Sequence, residues 1–145
     1  MAISLFLISE KMKKDIQLPE VTEIAVAVVQ ETNDVGEENW YAYFLNLKNV
    51  TVTNVLVTSR GYGTLDGEEI KTSTLRHFLE DVPSMRSAKI ELIMENVFGL
   101  SNEYWVSFYI GKTIYDKKYI FLPESIIKDN FTHIPILEKQ GVMIR

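Results

Sequence analysis

The chain contains no cysteine. Disulfides, thiolate nucleophiles and Cys-ligated zinc or iron–sulfur sites are therefore excluded. Glycine (7) and proline (4) are sparse among its 145 residues. No linker rich in Pro, Gly or Ser splits the chain, and no repeat or low-complexity tract is visible. The N-terminal apolar run, Ala2 to Ile8, is interrupted by Ser4. It falls far short of the roughly 20 residues a transmembrane helix needs. Lys11, Lys13 and Lys14 follow that run rather than precede it, and no small-residue cleavage site comes after it, so it does not read as a secretory signal. An excess of positive charge is also missing. Lys plus Arg is 15 against 20 for Asp plus Glu, a formal charge of −5. The basic residues are scattered rather than striped, so nucleic acid is not expected as the partner.

What is present is an ordinary globular composition, 46% apolar and 24% charged. A chain of this length buries roughly 70% of its unfolded surface, so it needs neither disulfide nor metal for stability. Residues 1–14 are expected to be an N-terminal extension or a start-site artefact, with Met12 as the alternative start. Residues 15–145 are expected to form one domain, and the cytoplasm is the expected compartment.

Strand signals dominate from Val21. Val21 to Gln30 is rich in β-branched residues, Trp40 to Leu47 in aromatics, and Thr51 to Ser59 alternates Val55 and Val57 against Leu56 and Thr58. The polar stretch Glu31 to Asn39 reads as a turn, and Gly61, Gly63 and Asp66-Gly67 as the connection after the third strand. Residues 72–82 are compatible with a helix ended by Pro83, but extended structure fits the neighbouring strands better. Ala88 to Met94 reads as a strand with Ile90, Leu92 and Met94 on one face.

Glu103 to Leu122 carries the clearest local signal. Tyr104, Val106, Phe108 and Ile110 alternate with Trp105, Ser107 and Tyr109, and Gly111-Lys112 fits a type II′ turn. That register pairs Phe108 with Tyr115, Tyr104 with Tyr119 and Trp105 with Lys118. It also turns Lys117 inward beside Val106, which predicts either a bulge at 116–118 or a sheet edge there. Pro123 is expected to end the strand and open a helical turn over 124–128. The tail reads as a hairpin turning at Lys139-Gln140-Gly141, with Pro135 holding its first strand to an edge. Short alternating strands at this spacing predict an all-β, antiparallel β-sandwich, immunoglobulin- or fibronectin-like, with at most one or two short helices.

The segments Leu75-Arg76-His77-Phe78, Asn102 to Tyr109 and Ile114 to Phe121 together resemble a family of small bacterial proteins of uncharacterised function. Its members sometimes carry a phenylalanyl-tRNA synthetase subunit label. The likeness runs from about Lys13 onward and implies no catalytic or binding residue. The chain is too short for a synthetase core and lacks its ATP-binding arginine motifs.

Gly61-Tyr62-Gly63 lacks the third glycine and the lysine of a phosphate loop, so a turn role is favoured. His77 and His133, the only histidines, show no metal spacing, and neither metal nor cofactor is expected. The acids around residues 31–38 match no calcium-loop pattern. His77 could serve as a base only with a partner acid, Glu91 or Asp116, and Arg76 beside it could hold an anion. Trp105, Tyr109 and Lys118 should share the face opposite the core side of the hairpin, with Trp40 on a comparable face of its own strand. Exposed aromatics of this kind mark a recognition surface. The expected candidate surface is thus Trp105, Tyr109, Lys118, Arg76 and His77. The expected role is non-enzymatic binding of a protein partner or self-association. An RNA-binding accessory to translation and a small enzyme using His77 are the alternatives.

Overall fold

The computed structural model describes residues 19–145. The expectation for residues 1–14 lies outside them. The described chain forms ten strands: β1 (Ile24–Thr32), β2 (Glu38–Asn46), β3 (Val52–Leu65), β4 (Glu68–Lys71), β5 (Leu75–Val82), β6 (Arg86–Ile93), β7 (Ser101–Ile110), β8 (Thr113–Phe121), β9 (Thr132–Ile134) and β10 (Lys139–Ile144). Every pairing is antiparallel. One sheet runs β6-β2-β1-β10-β9 and the other β4-β3-β7-β8, with β5 on the same edge of β3 as β4. This is an antiparallel β-sandwich, as the alternating pattern predicts. Among the described residues no helix is long and apolar enough to cross a membrane.

The core lies between the sheets. Ile24, Val26, Val28, Trp40, Ala42 and Phe44 project from the first sheet onto Val55, Val57, Tyr104, Val106, Phe108, Tyr119 and Phe121 of the second. Phe44 and Phe108 meet edge to face with centroids 6.5 Å apart, a favoured aromatic geometry. Buried Asn46 closes one end, donating to the carbonyls of Val50, Val82 and Pro83. A buried amide is tolerable only because its donors are used in this way.

The β7–β8 hairpin keeps the predicted register, from Asn102 opposite Phe121 to Ile110 opposite Thr113. Gly111 has φ +60° while Lys112 does not enter the positive region, which is the type II′ signature. Lys117 is accommodated by the sheet edge and not by a bulge. Strand β8 is an outer strand, and the Lys117 ammonium reaches out over the Tyr119 ring at 5.0 Å. Residues 75–82 are extended, as β5.

Five local expectations are corrected. Gly61 and Gly63 lie inside β3, which runs on to the Asp66-Gly67 turn because β4 pairs with Tyr62 to Leu65. Gly61 exchanges hydrogen bonds with Thr72, a close approach that leaves little space for a Cβ. No helical turn forms over 124–128, because Glu124 takes φ +60°; the 3-10 turn comes later, at Lys128–Asn130. The tail turns at residues 135–138, so Pro135 sits just beyond edge strand β9 rather than within it. Gly141 lies inside β10, where a Cβ would fall 2.4 Å from the Val28 carbonyl oxygen. In β6 a bulge separates Glu91, opposite Ala42, from Lys89, opposite Tyr43. The extra residue sends Ile90 and Ile93 into the core and leaves Leu92 and Met94 exposed.

Candidate functional site

The outer face of the second sheet follows from the period of two along its strands. Because Tyr104, Val106 and Phe108 fill the core, Trp105, Ser107 and Tyr109 must point the other way. The ladders then build two rows across four strands. Arg76, Thr58, Trp105 and Lys118 form one; Phe78, Leu56, Ser107 and Asp116 form the next. Tyr109 and Ile114 continue the face beyond them. Phe78 is 60% exposed, Ile114 50% and Trp105 44%. A shallow hollow lies between Trp105 and Ile114, lined also by Leu56, Thr58, Ser107 and Asp116.

The Trp105 ring is held in place. Lys118 Nζ stands 4.6 Å from its centroid, and its indole N–H donates to Asp116 Oδ1. At the same face's far end Glu103 is buried beneath Arg60 and Tyr62. Arg60 Nε donates to it at 3.1 Å and the Tyr62 hydroxyl at 3.1 Å. Charges of both signs therefore border the apolar patch.

Four of the five predicted surface residues, Trp105, Tyr109, Lys118 and Arg76, share this face. His77 does not. It pairs with core-facing Val57 and points to the opposite side of β5 from Arg76 and Phe78. Trp40 is also corrected. It is buried in the core, edge to face with Phe98 and Phe131, its N–H donating to Glu95 at 2.9 Å. Phe78, the most exposed aromatic of the patch, is the residue that sequence reading missed. Its strand register against Leu56 would have placed it, had the helix alternative for 72–82 been closed.

His77 instead joins a polar cluster at the edge of the sandwich, where β5 of one sheet approaches β6 of the other. The β6 bulge holds Glu91 at a core-facing position with its side chain 16% exposed. Its Oε1 accepts from Ser59 Oγ at 2.7 Å and from His77 Nε2 at 2.8 Å, and its Oε2 from the Tyr104 hydroxyl at 3.0 Å. Burial, reinforced by the charge and hydrogen bond of Glu91, pushes the Tyr104 phenol well above its ordinary value. Tyr104 is thus a donor to Glu91 across the working pH range. The cluster opens on a cavity of about 210 Å³ whose lining is mixed, with Leu75, Ile93 and Val97 beside Thr72, Asn96 and Asn102. Of the acids proposed to assist His77, Glu91 meets it, while Asp116 lies on the other face with Arg76. The Ser59 hydroxyl donates to Glu91, and among the described residues no hydrogen bond joins it to His77. A scan against family models finds no match for this chain, and a search of curated proteins finds none either.

Proposed function

We propose that this protein is a non-enzymatic binding module of the cytoplasm whose β5-β3-β7-β8 face docks a protein surface, either a partner or a second copy of itself. The single observation that carries this reading is the set of apolar side chains Phe78, Leu56, Trp105 and Ile114 on one sheet face, with Phe78, Trp105 and Ile114 exposed among the described residues. Isolated exposed apolar residues are commonplace, but a contiguous patch rimmed by charges is the anatomy of an interface. An oriented Trp is a characteristic anchor in such surfaces. The strand connectivity supports the reading at fold level. The orders β1-β2-β6 in one sheet and β3-β7-β8 in the other support an immunoglobulin- or fibronectin-like reading of the sandwich, since strands A-B-E and C-F-G are neighbours in those folds. Many domains of that architecture serve in recognition, which is an analogy of fold and not of site.

The test is a pull-down from cell extract together with light scattering on the purified chain. Trp105→Ala combined with Phe78→Ala is expected to weaken the captured partner, or the self-association, at least about tenfold, with thermal stability nearly unchanged. Capture and oligomeric state that match the wild type would refute the docking face. Salt-steep tRNA binding in the same protein would favour the translation-accessory role that the family resemblance implies. The His77–Glu91 contact at 2.8 Å beside a cavity is the one observation favouring an enzyme. Under that reading His77 is a base oriented by Glu91, without help from Arg76.

A further inference from the structure

Strand β8 is a long and regular sheet edge. Among the described residues it pairs with β7 alone, over nine residues and without a register shift. The other edges are blunted. Strands β9 and β4 have three and four residues, β6 carries a bulge, and β5 meets β3 with register shifts. The turn fixes which main-chain groups β8 leaves open. Ile110 and Thr113 close a two-residue turn, so they form a hydrogen-bonded pair. Such pairs alternate along an antiparallel ladder. Odd-numbered residues of β8 thus bond to β7. The N–H and C=O groups of Ile114, Asp116, Lys118 and Ile120 point to the open edge.

The side chains on that edge are self-complementary. Ile114-Tyr115-Asp116-Lys117-Lys118-Tyr119-Ile120 reads the same in both directions, except that Asp116 and Lys118 exchange places. When two copies of β8 run antiparallel about Lys117, Ile114 faces Ile120 and Asp116 faces Lys118. The residues with open main-chain groups then meet one another. Ile114 is 50% and Ile120 36% exposed, and Asp116 and Lys118 are exposed beside them. A slip to the next register sets Asp116 against Asp116, or Lys118 against Lys118, and separates the isoleucines. Charge and hydropathy therefore select one register. At the axis Lys117 meets its own copy. Its ammonium lies over Tyr119 of the same strand, 5.0 Å from the ring centroid. Because the two strands run in opposite directions, the two ammonium groups lean apart.

We infer that β8 pairs with β8 of a second copy of this chain, antiparallel about a two-fold axis at Lys117, joining two sheets into one. The contact is isologous, so each complementary pair occurs twice. Lysines on an edge ordinarily repel a stray strand. Here the order of Asp116 and Lys118 admits the strand that presents the opposite order, which is β8 itself. The pairing does not rest on the docking face, since it uses main-chain groups at the edge of the sheet rather than Phe78 and Trp105.

Sedimentation of the full wild-type chain should show a dimer with a Kd below about 100 μM. Asp116→Lys alone and Lys118→Asp alone each set like charges against one another, and each should weaken the dimer at least about tenfold. An equimolar mixture of the two variants restores opposite charges at both pairs and should recover a mixed dimer. Because the chain has no cysteine, an introduced thiol has no other thiol within its own chain. Lys117→Cys places two thiols at the axis, in a non-hydrogen-bonded pair with Cα atoms about 4.5 Å apart, within reach of a disulfide. Oxidised glutathione should link it into a covalent dimer, while Lys71→Cys, on edge strand β4, should stay monomeric. Phe78→Ala should leave the dimer unchanged; its loss in that variant would assign self-association to the docking face and overturn the edge pairing. A wild-type chain that is monomeric at several times about 100 μM, equal cross-linking of the two cysteine variants, or no recovery in the mixture would each overturn it as well. If a charge variant does not fold, wild-type sedimentation and the two cysteine variants decide alone.

Discussion

At the residue scale, backbone conformation and close contact act in opposite directions at two positions. Met85 is half-exposed in the β5–β6 turn and takes φ +57°, a left-handed conformation that costs an L-residue about 1–2 kcal/mol. Met85→Gly removes that cost and loses little packing. It is expected to raise stability by about 0.5–1 kcal/mol after the added unfolded-state entropy. A higher urea midpoint at an unchanged slope is the expected result. Gly141 behaves in the reverse sense. A methyl there would stand 2.4 Å from the Val28 carbonyl and 2.8 Å from a Val29 methyl, both in the neighbouring strand. Gly141→Ala should therefore destabilise by about 2–3 kcal/mol, read by the same titration. In the sequence both positions look like ordinary turn residues. The contact that distinguishes Gly141 comes from β1, more than a hundred residues earlier in the chain.

At the scale of elements, the β7–β8 hairpin is specified locally. Its alternation, its two-residue turn and its register were all legible, because each depends on residues close in sequence. No atom comes within 4 Å of a Cβ built on Gly111, so its requirement is purely one of backbone angle. Gly111→Ala should cost about 1–2 kcal/mol with no cavity or clash involved. Replacing Gly111-Lys112 by Asn-Gly, which suits a type I′ turn, should retain the register and most of that stability. Cross-strand contacts between Trp105 and Lys118 by NMR would check this, and their loss in the Asn-Gly variant would show that the turn type, and not the strands, sets the pairing. The tail hairpin lacked such a signal. Its turn, at residues 135–138, puts Ile136 and Glu138 at positive φ, which their residue types do not announce.

For the whole molecule, the buried tyrosines tie stability to alkaline pH. Tyr119 is buried and donates to the Ile24 carbonyl at 2.8 Å, joining β8 to β1 across the sandwich. Burial raises its pKa above the ordinary 10.0. Burial and then the carboxylate of Glu31 raise that of Tyr43, and burial and then Glu91 raise that of Tyr104. A phenol whose pKa is higher when folded contributes stability that is complete below pH 10 and lost as pH rises above it, since the unfolded chain ionises first. Unfolding midpoints should therefore fall steeply above about pH 10. Tyr119→Phe should flatten that fall while lowering stability near neutral pH by about 1 kcal/mol, because one buried hydrogen bond is lost. An equally steep fall in the variant would show that Tyr119 is not part of the linkage. On the acid side, burial raises the Glu31 pKa, but hydrogen bonds from Lys139, Tyr43 and Lys89 outweigh it and leave a net lowering. Its contribution is present above the unfolded value and lost as pH falls through the folded one.

The sequence by itself determined the sandwich class, the core face of β7 and β8, and the side of the sheet on which Trp105, Tyr109 and Lys118 stand. All three follow from a period of two and short-range pairing, which a linear pattern records directly. Only the tertiary structure decided that Arg76 and Phe78 complete that face while His77 turns inward. It likewise decided that Trp40 is core, and that Glu91 collects Ser59, His77 and Tyr104. Those outcomes depend on which strand edges meet between the two sheets, and on one bulge in β6 that exchanges inner and outer positions. An extra residue in a ladder leaves hydropathy almost unchanged but reverses every side chain beyond it, so the site it builds is visible only when the strands are paired.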